Sequence, residues 1–136
     1  MSSNWPSPAH NFVPEYQQSS IPFVTSSATN EVADTAIKVT FPYVTRWVQV
    51  FNTDGTAGDT LRVGFTQNGV NAAVNANYFI LSGGQSTERL ELKCREIWFR
   101  RHGSNNASFS LIAGLTNVSS GSFPTLSGSN GVAGVG

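Results

Sequence analysis

Between residues 21 and 116 apolar and polar positions alternate in short runs, and no window carries the spacing of an amphipathic helix of useful length. The clearest run is residues 87–101, TERLELKCREIWFRR. Its first half sets Arg89, Glu91 and Lys93 against Leu90 and Leu92, a period of two that suits an extended strand with one dry and one wet face. Beyond Cys94 the beat continues as Ile97 and Phe99 against Glu96, Trp98 and Arg100, with the parity changed. A bulge or tight bend near Cys94 and Arg95 accounts for the change, and at such corners a chain passes between the sheets of a sandwich.

The remaining runs are read the same way. Residues 21–25 form a short edge strand limited by Pro22. Ile37, Val39 and Phe41 alternate with Lys38 and Thr40. In residues 43–52, Val44, Val48 and Val50 share one face while Trp47 and Phe51 share the other, so this strand is expected to be covered on both sides. Leu61, Val63 and Phe65 alternate with Arg62, Gly64 and Thr66 as far as Asn68-Gly69, a hairpin signal. Tyr78 to Leu81 is closed by Gly83-Gly84, Phe109 and Leu111 are in phase in residues 108–115, and Phe123 and Leu126 are assigned to a last short strand. Turn clusters separate these runs at residues 52–58 and 103–106.

The count comes to about eight strands in an all-β domain. The stretches 54–59 and 67–77 are longer than tight hairpins, as Greek-key crossovers require. The expected fold is therefore a single jelly roll, a two-sheet antiparallel β-sandwich. An immunoglobulin-like sandwich is the main competitor, ahead of an up-and-down barrel. The domain spans residues 20–126. Residues 1–19, with Pro6, Pro8 and Pro14 among Trp5, Phe12 and Tyr16, have no period and are expected to form an extended arm. Aromatics are scarce in plain disordered tails, so this arm is expected to dock, on a neighbour or back on its own domain. Residues 127–136 are rich in Gly and Ser and are expected to stay flexible.

Composition narrows the function. Charged residues make up only 12% of the 136, about half the usual share, which leaves a surface of Ser, Thr, Asn, Gln and Gly suited to packing against neighbours. Eight basic residues balance eight acidic ones, so attraction to nucleic acid or an anionic membrane is not encoded. The local basic excess of Arg95, Arg100, Arg101 and His102 reads as a solvated rim or an interface fork rather than a phosphate site. One cysteine, Cys94, allows no internal disulfide, shares its parity with Leu90 and Leu92, and reads as a small buried hydrophobe in a reducing site of assembly. The first residues lack a basic region followed by an apolar run, so no secretion signal is read there, and no segment has the ~20 apolar residues of a membrane span. Two matches to the glycosylation sequon, at Asn106 and Asn117, carry little weight in a chain so rich in Asn and Ser.

Catalytic parts are in short supply. His10 lies in the arm and His102 in a turn, neither with a sequence partner for a triad or a metal site. Glu88, Glu91 and Glu96 read as strand-face charges paired across strands with Arg89, Lys93 and Arg95. No glycine loop precedes a helix, so no phosphate cradle is expected. The expectation is no enzyme, no cofactor and no metal. A sugar-binding module is the live alternative, with Trp47, Trp98 and Tyr78 as stacking candidates. Trp98 falls on the wetter face of its strand, and packing against a neighbouring subunit or the arm is its plainer explanation.

Taken together, FPYVTRWVQVFNT (41–53), LRVGFTQNGV (61–70), NYFILSGG (77–84), ERLELKCREIWFR (88–100) and FSLIAGLTNV (109–118) resemble small single jelly-roll capsid proteins of large icosahedral nucleocytoplasmic DNA viruses, above all their penton and minor capsid components. The likeness covers the middle two-thirds of the chain. It implies a structural virion protein assembled in the host cytoplasm, five copies around a capsid vertex, with itself and neighbouring major or minor capsid proteins as partners. Lateral interfaces are then expected at Trp98, Arg100 and Arg101, and arm contacts at Trp5, Phe12 and Tyr16. A trimeric decoration or fibre-knob protein shares the fold and differs only in symmetry.

Overall fold

The structure is a computed structural model that describes residues 20–28, 31–72, 76–124, 126 and 132–136. The described part is all-β apart from one short helix and one 3-10 turn. Its elements are β1 (Ile21–Ser26), β2 (Ile37–Thr40), β3 (Tyr43–Asn52), β4 (Leu61–Gly64), α1 (Gln67–Asn71), β5 (Tyr78–Leu81), β6 (Glu96–Arg101) and β7 (Phe109–Ser119), then a 3-10 turn at Ser120–Ser122. The strands form two antiparallel sheets, β1-β7-β3 and β2-β6-β4-β5.

Period two decides which side chains enter the space between the sheets. From the three-stranded sheet come Val48 and Val50 of β3, Leu111, Ala113 and Leu115 of β7, and Phe23 of β1. From the other come Leu61 and Val63, Ile97 and Phe99, and Leu81. Phe99 and Phe109 stack at 3.9 Å between ring centroids, and Phe23 meets Phe41 edge-on at 5.1 Å. One core therefore serves both layers, the arrangement of a β-sandwich.

The parity change around Cys94 is the expected corner. Residues 85–90 run along the free edge of β3, bridged at Phe51↔Ser86 and Val48↔Leu90. After Cys94 the chain enters the other sheet as β6, between β2 and β4. Leu90 and Leu92 are half-buried and Cys94 is buried, while Arg89, Glu91 and Lys93 are exposed, so the alternation is present in burial. It is not a regular ladder, because Leu92 N–H turns back to Leu90 C=O at 3.0 Å. A buried threonine holds the bend: Thr45 Oγ1 donates to Leu92 C=O at 2.9 Å and accepts from Cys94 N–H at 3.0 Å. With backbone on both sides of its hydroxyl, Thr45 satisfies groups that no ladder reaches.

Two expectations need correction. Asn68-Gly69 does not make a hairpin; it lies in α1, begun by Thr66, whose Oγ1 accepts from Gly69 N–H at 3.0 Å. Strands β4 and β5 still pair antiparallel, with α1 inserted in their connection. Phe123 follows the 3-10 turn instead of joining a strand with Leu126. Residues 132–136 form a turn: Gly136 is buried against Gly69, and Val135 C=O accepts from Thr66 Oγ1 at 2.8 Å. A helix start offers unpaired donors and a hydroxyl cap, and the chain's last residues pack on it. Residues 127–131 and the arm, residues 1–19, lie outside the described residues.

Candidate functional site

Two surfaces carry most of the chemistry. The first is the outer face of the four-stranded sheet. Register aligns Lys38, Trp98, Gly64 and Tyr78 in one row across β2, β6, β4 and β5, with Arg100, Arg62 and Ile80 in the next. Helix α1 lies on this face. Val70 packs against Gly64, where a Cβ would meet it, so the helix separates Trp98 from Tyr78. Two arginines hold the helix end: Arg62 Nη1 donates to Val70 C=O at 2.8 Å and Arg100 Nη1 to Asn71 C=O at 3.1 Å. Cations at the last carbonyls of a helix complement its dipole and satisfy its orphan acceptors.

Each arginine has further work in the same chain. The Arg62 guanidinium stacks over Tyr78 at 4.4 Å and its Nε donates to His102 Nδ1 at 3.3 Å. Arg100 binds Asp34 twice, through the backbone carbonyl at 2.9 Å and the carboxylate at 2.8 Å. That hydrogen bond and the Arg100 charge hold the Asp34 carboxyl below its ordinary 3.8.

Beside α1 a cleft of about 510 Å³ opens, walled by Phe65, Leu92, Trp98, Phe123 and Val135 among others, with Glu96 and Asn68 supplying polar atoms. Its size lies in the range of small-molecule sites. Trp98 is half-buried in its wall; Nε1 donates to Glu96 Oε2 at 2.5 Å, and Lys38 Nζ lies 5.5 Å from its ring centroid. Cys94 also lines the cleft, but burial pushes its thiol up to about 11, with the Glu96 charge adding to the rise. At neutral pH this sulfur stays protonated and is a poor nucleophile. Among the described residues no three His, Cys, Asp or Glu side chains are grouped to hold a metal, and no helix is long and apolar enough to cross a membrane.

The second surface is the outer face of the three-stranded sheet. Its rows are Pro22–Gly114–Trp47, Val24–Ile112–Gln49 and Ser26–Ser110–Phe51. Val24 is 68% exposed. Trp47 lies across Gly114, where a Cβ would collide with its Nε1 and with Ser20, and Arg89 lies 5.9 Å from its ring. Trp47 and Phe51 are half-buried, as expected for a strand with two apolar faces.

Of the residues singled out in the sequence, Trp98 and Arg100 share the outer face of β6, whereas Arg101, one residue on, belongs to the opposite parity at the sheet end. Arg101 donates to Ser104 C=O at 2.9 Å and Asn106 Oδ1 at 3.0 Å. Trp98 is thus less exposed than its wet-face parity suggested. The exposed carboxylate Glu91 pairs with Arg89 at 2.7 Å along its own segment, not across strands. Trp5, Phe12 and Tyr16 fall outside the described residues. The cleft escaped sequence reading because its walls come from four separate segments, although Thr66 ahead of Gln67 was a readable helix start. No protein-family model, no curated protein and no solved structure matches this chain.

Proposed function

We propose that this chain is a structural capsid protein of an icosahedral virus, a single jelly roll that stands five copies to a vertex. The strand order is the observation that carries the reading. Counting residues 85–90 as a sixth extended element, the sheets run first, eighth, third, sixth and second, seventh, fourth, fifth. That is the order two interleaved Greek keys produce in a jelly roll, an architecture frequent in capsid proteins. The low charge and the apolar outer face of the three-stranded sheet add support, since closed rings need two unlike contact patches on each subunit. In this reading Trp98, Arg100 and Arg101 belong to the lateral contact region, the arm residues Trp5, Phe12 and Tyr16 to capsid contacts, and the protein resides in the virion after assembly in the host cytoplasm.

Light scattering on the purified chain at two concentrations, with negative-stain imaging, tests the proposal. Five chains of 14.5 kDa make a ring of about 73 kDa. A trimer would move the reading to a decoration or knob protein. A monomer at every concentration, with no ring in the images, would count against both.

The Trp98 cleft favours a second reading, a sugar-binding module. Because α1 separates Trp98 from Tyr78, the stacking surface in this reading is Trp98 alone. Glycan-array binding that disappears in Trp98→Ala would support it, and silence on the array would remove it.

A further inference from the structure

The outer face of a two-layer sandwich is ordinarily polar, yet β1, β7 and β3 turn Pro22, Val24, Ile112, Trp47 and Phe51 to the same side. The described residues supply little to cover them. Ser20 lies over Gly114 and Trp47, Arg89 reaches the Trp47 ring, and Gln49 Nε2 donates to Thr87 C=O at 3.0 Å at the margin. Val24 stays open.

The position of Ser20 is informative. Its Cβ and Oγ occupy the space that a side chain on Gly114 would take, so the chain enters β1 from above this face and not from beyond its edge. Ser20 Oγ is buried and has no hydrogen-bond partner among the described residues. A buried hydroxyl without a partner is costly, and it lies at the root of the preceding 19 residues. Those residues include Phe12, Val13, Pro14 and Tyr16 close to the root. Eight extended residues reach roughly 26 Å, about the length of the strands, and 19 reach roughly 60 Å. Residues 12–19 therefore suffice to cross the face, with the part that carries Trp5 left over.

We propose that the outer face of β1-β7-β3 is the docking site of this chain's own residues 12–19, whose apolar side chains cover Val24, Ile112 and Phe51 while the portion bearing Trp5 extends past the sheet. The inference needs neither a virus nor a ring. Within the capsid reading it withdraws Phe12, Tyr16 and the β1-β7-β3 face from contacts between subunits, and leaves only the part of the arm that carries Trp5 to engage a neighbour.

Paired cysteines in the full-length chain test it. Val24→Cys is combined in turn with Phe12→Cys, Pro14→Cys and Tyr16→Cys and oxidised with copper phenanthroline; Cys94 is buried and protonated and does not compete. The expected product is an intramolecular disulfide in at least one pair, seen as a compact monomer on a non-reducing gel and absent from the single variants. Disulfide-linked dimers or ladders alone would assign the arm to another copy, and no product in any pair would take it off this face; either result overturns the proposal. A second readout avoids the new cysteines. Chymotrypsin cleavage after Phe12 and Tyr16 should be slow in the native chain and should rise roughly tenfold in Val24→Asp at unchanged circular dichroism, since cleavage follows the undocked population. Cleavage of the native chain at the rate of a free peptide would overturn the proposal as well. A monomeric solution mass leaves both outcomes readable, so failure of the capsid reading is distinguishable from failure of this one.

Discussion

The two outer faces of the sandwich solve the same problem in opposite ways. On the four-stranded sheet Arg62, Trp98 and Arg100 are outward beside the chain's own helix, whose carbonyl end takes up the two guanidinium groups, while Lys38 stays exposed. That surface is largely satisfied within the subunit. On the three-stranded sheet Val24, Ile112 and Phe51 are outward with no side-chain hydrogen bonds to make, and Trp47 beside them has a single indole N–H. Polar surface can be completed locally by caps and ion pairs, whereas apolar surface gains only by being covered. In this sandwich the charged face is the one completed by its own chain, and the apolar face is the one the described residues leave more open. Of the arginines that stand out in the sequence, Arg100 and Arg101 both have partners in their own chain, as does Arg62.

Substitutions on each face separate the two, and the interior that both faces share sets the scale. Phe99 is fully buried and stacked on Phe109, so Phe99→Ala should cost about 3–5 kcal/mol, read by urea unfolding, and should loosen both sheets together. On the apolar face, Gly114→Val must displace Trp47 and Ser20 and should cost about 1–3 kcal/mol, with a shift in tryptophan emission. On the polar face, Arg62→Ala and Arg100→Ala should each cost about 1–2 kcal/mol and raise amide exchange in residues 67–72, and the double variant should cost less than the sum. If the arginine variants left exchange in α1 unchanged, that face would not be the self-satisfied surface described above.

The smallest effect concerns pH. The Asp34 carboxyl titrates below its ordinary 3.8 because Arg100 stabilises the charged form. Its contribution is fully present above that ordinary value and is lost as pH falls through the lowered one. Carboxyl chemical shifts followed in acid should show Asp34 protonating later than a free aspartate, and Arg100→Ala should abolish the delay.

Most strands were legible because a half-buried strand writes its burial pattern with period two: β2 alternates half-buried and exposed residues, β6 buries Ile97 and Phe99 on either side of Trp98, and β4 keeps the beat until Gly64, which α1 covers. The corner at Cys94 was legible for the same reason, since a change of face is a change of parity. The brace inside it was not, because Thr45 lies 49 residues from Cys94 and a threonine in a strand looks ordinary. Helix α1 was misread since Asn68-Gly69 between two apolar runs has the chemistry of a hairpin, while its stability comes from Val70 on Gly64 and from the two arginines. Trp98 lies on the face its parity gives, but the cleft it lines is walled also by Phe123 and Val135 from later in the chain, and that enclosure has no local signature.

The pairing of β1 with β7 bears on how the chain is made. Ile21 lies opposite Leu115, a separation of 94 residues (115 − 21). At ribosomal speeds of about 5–20 residues per second, the first strand emerges roughly 5 to 20 s before its partner exists. For that interval Phe23 and Val24 have no sheet to join, and the nascent protein presents an unpaired edge that invites chaperone binding or a stray copy. Closure of the three-stranded sheet is consequently a late event in biogenesis, and the last third of the chain governs its rate.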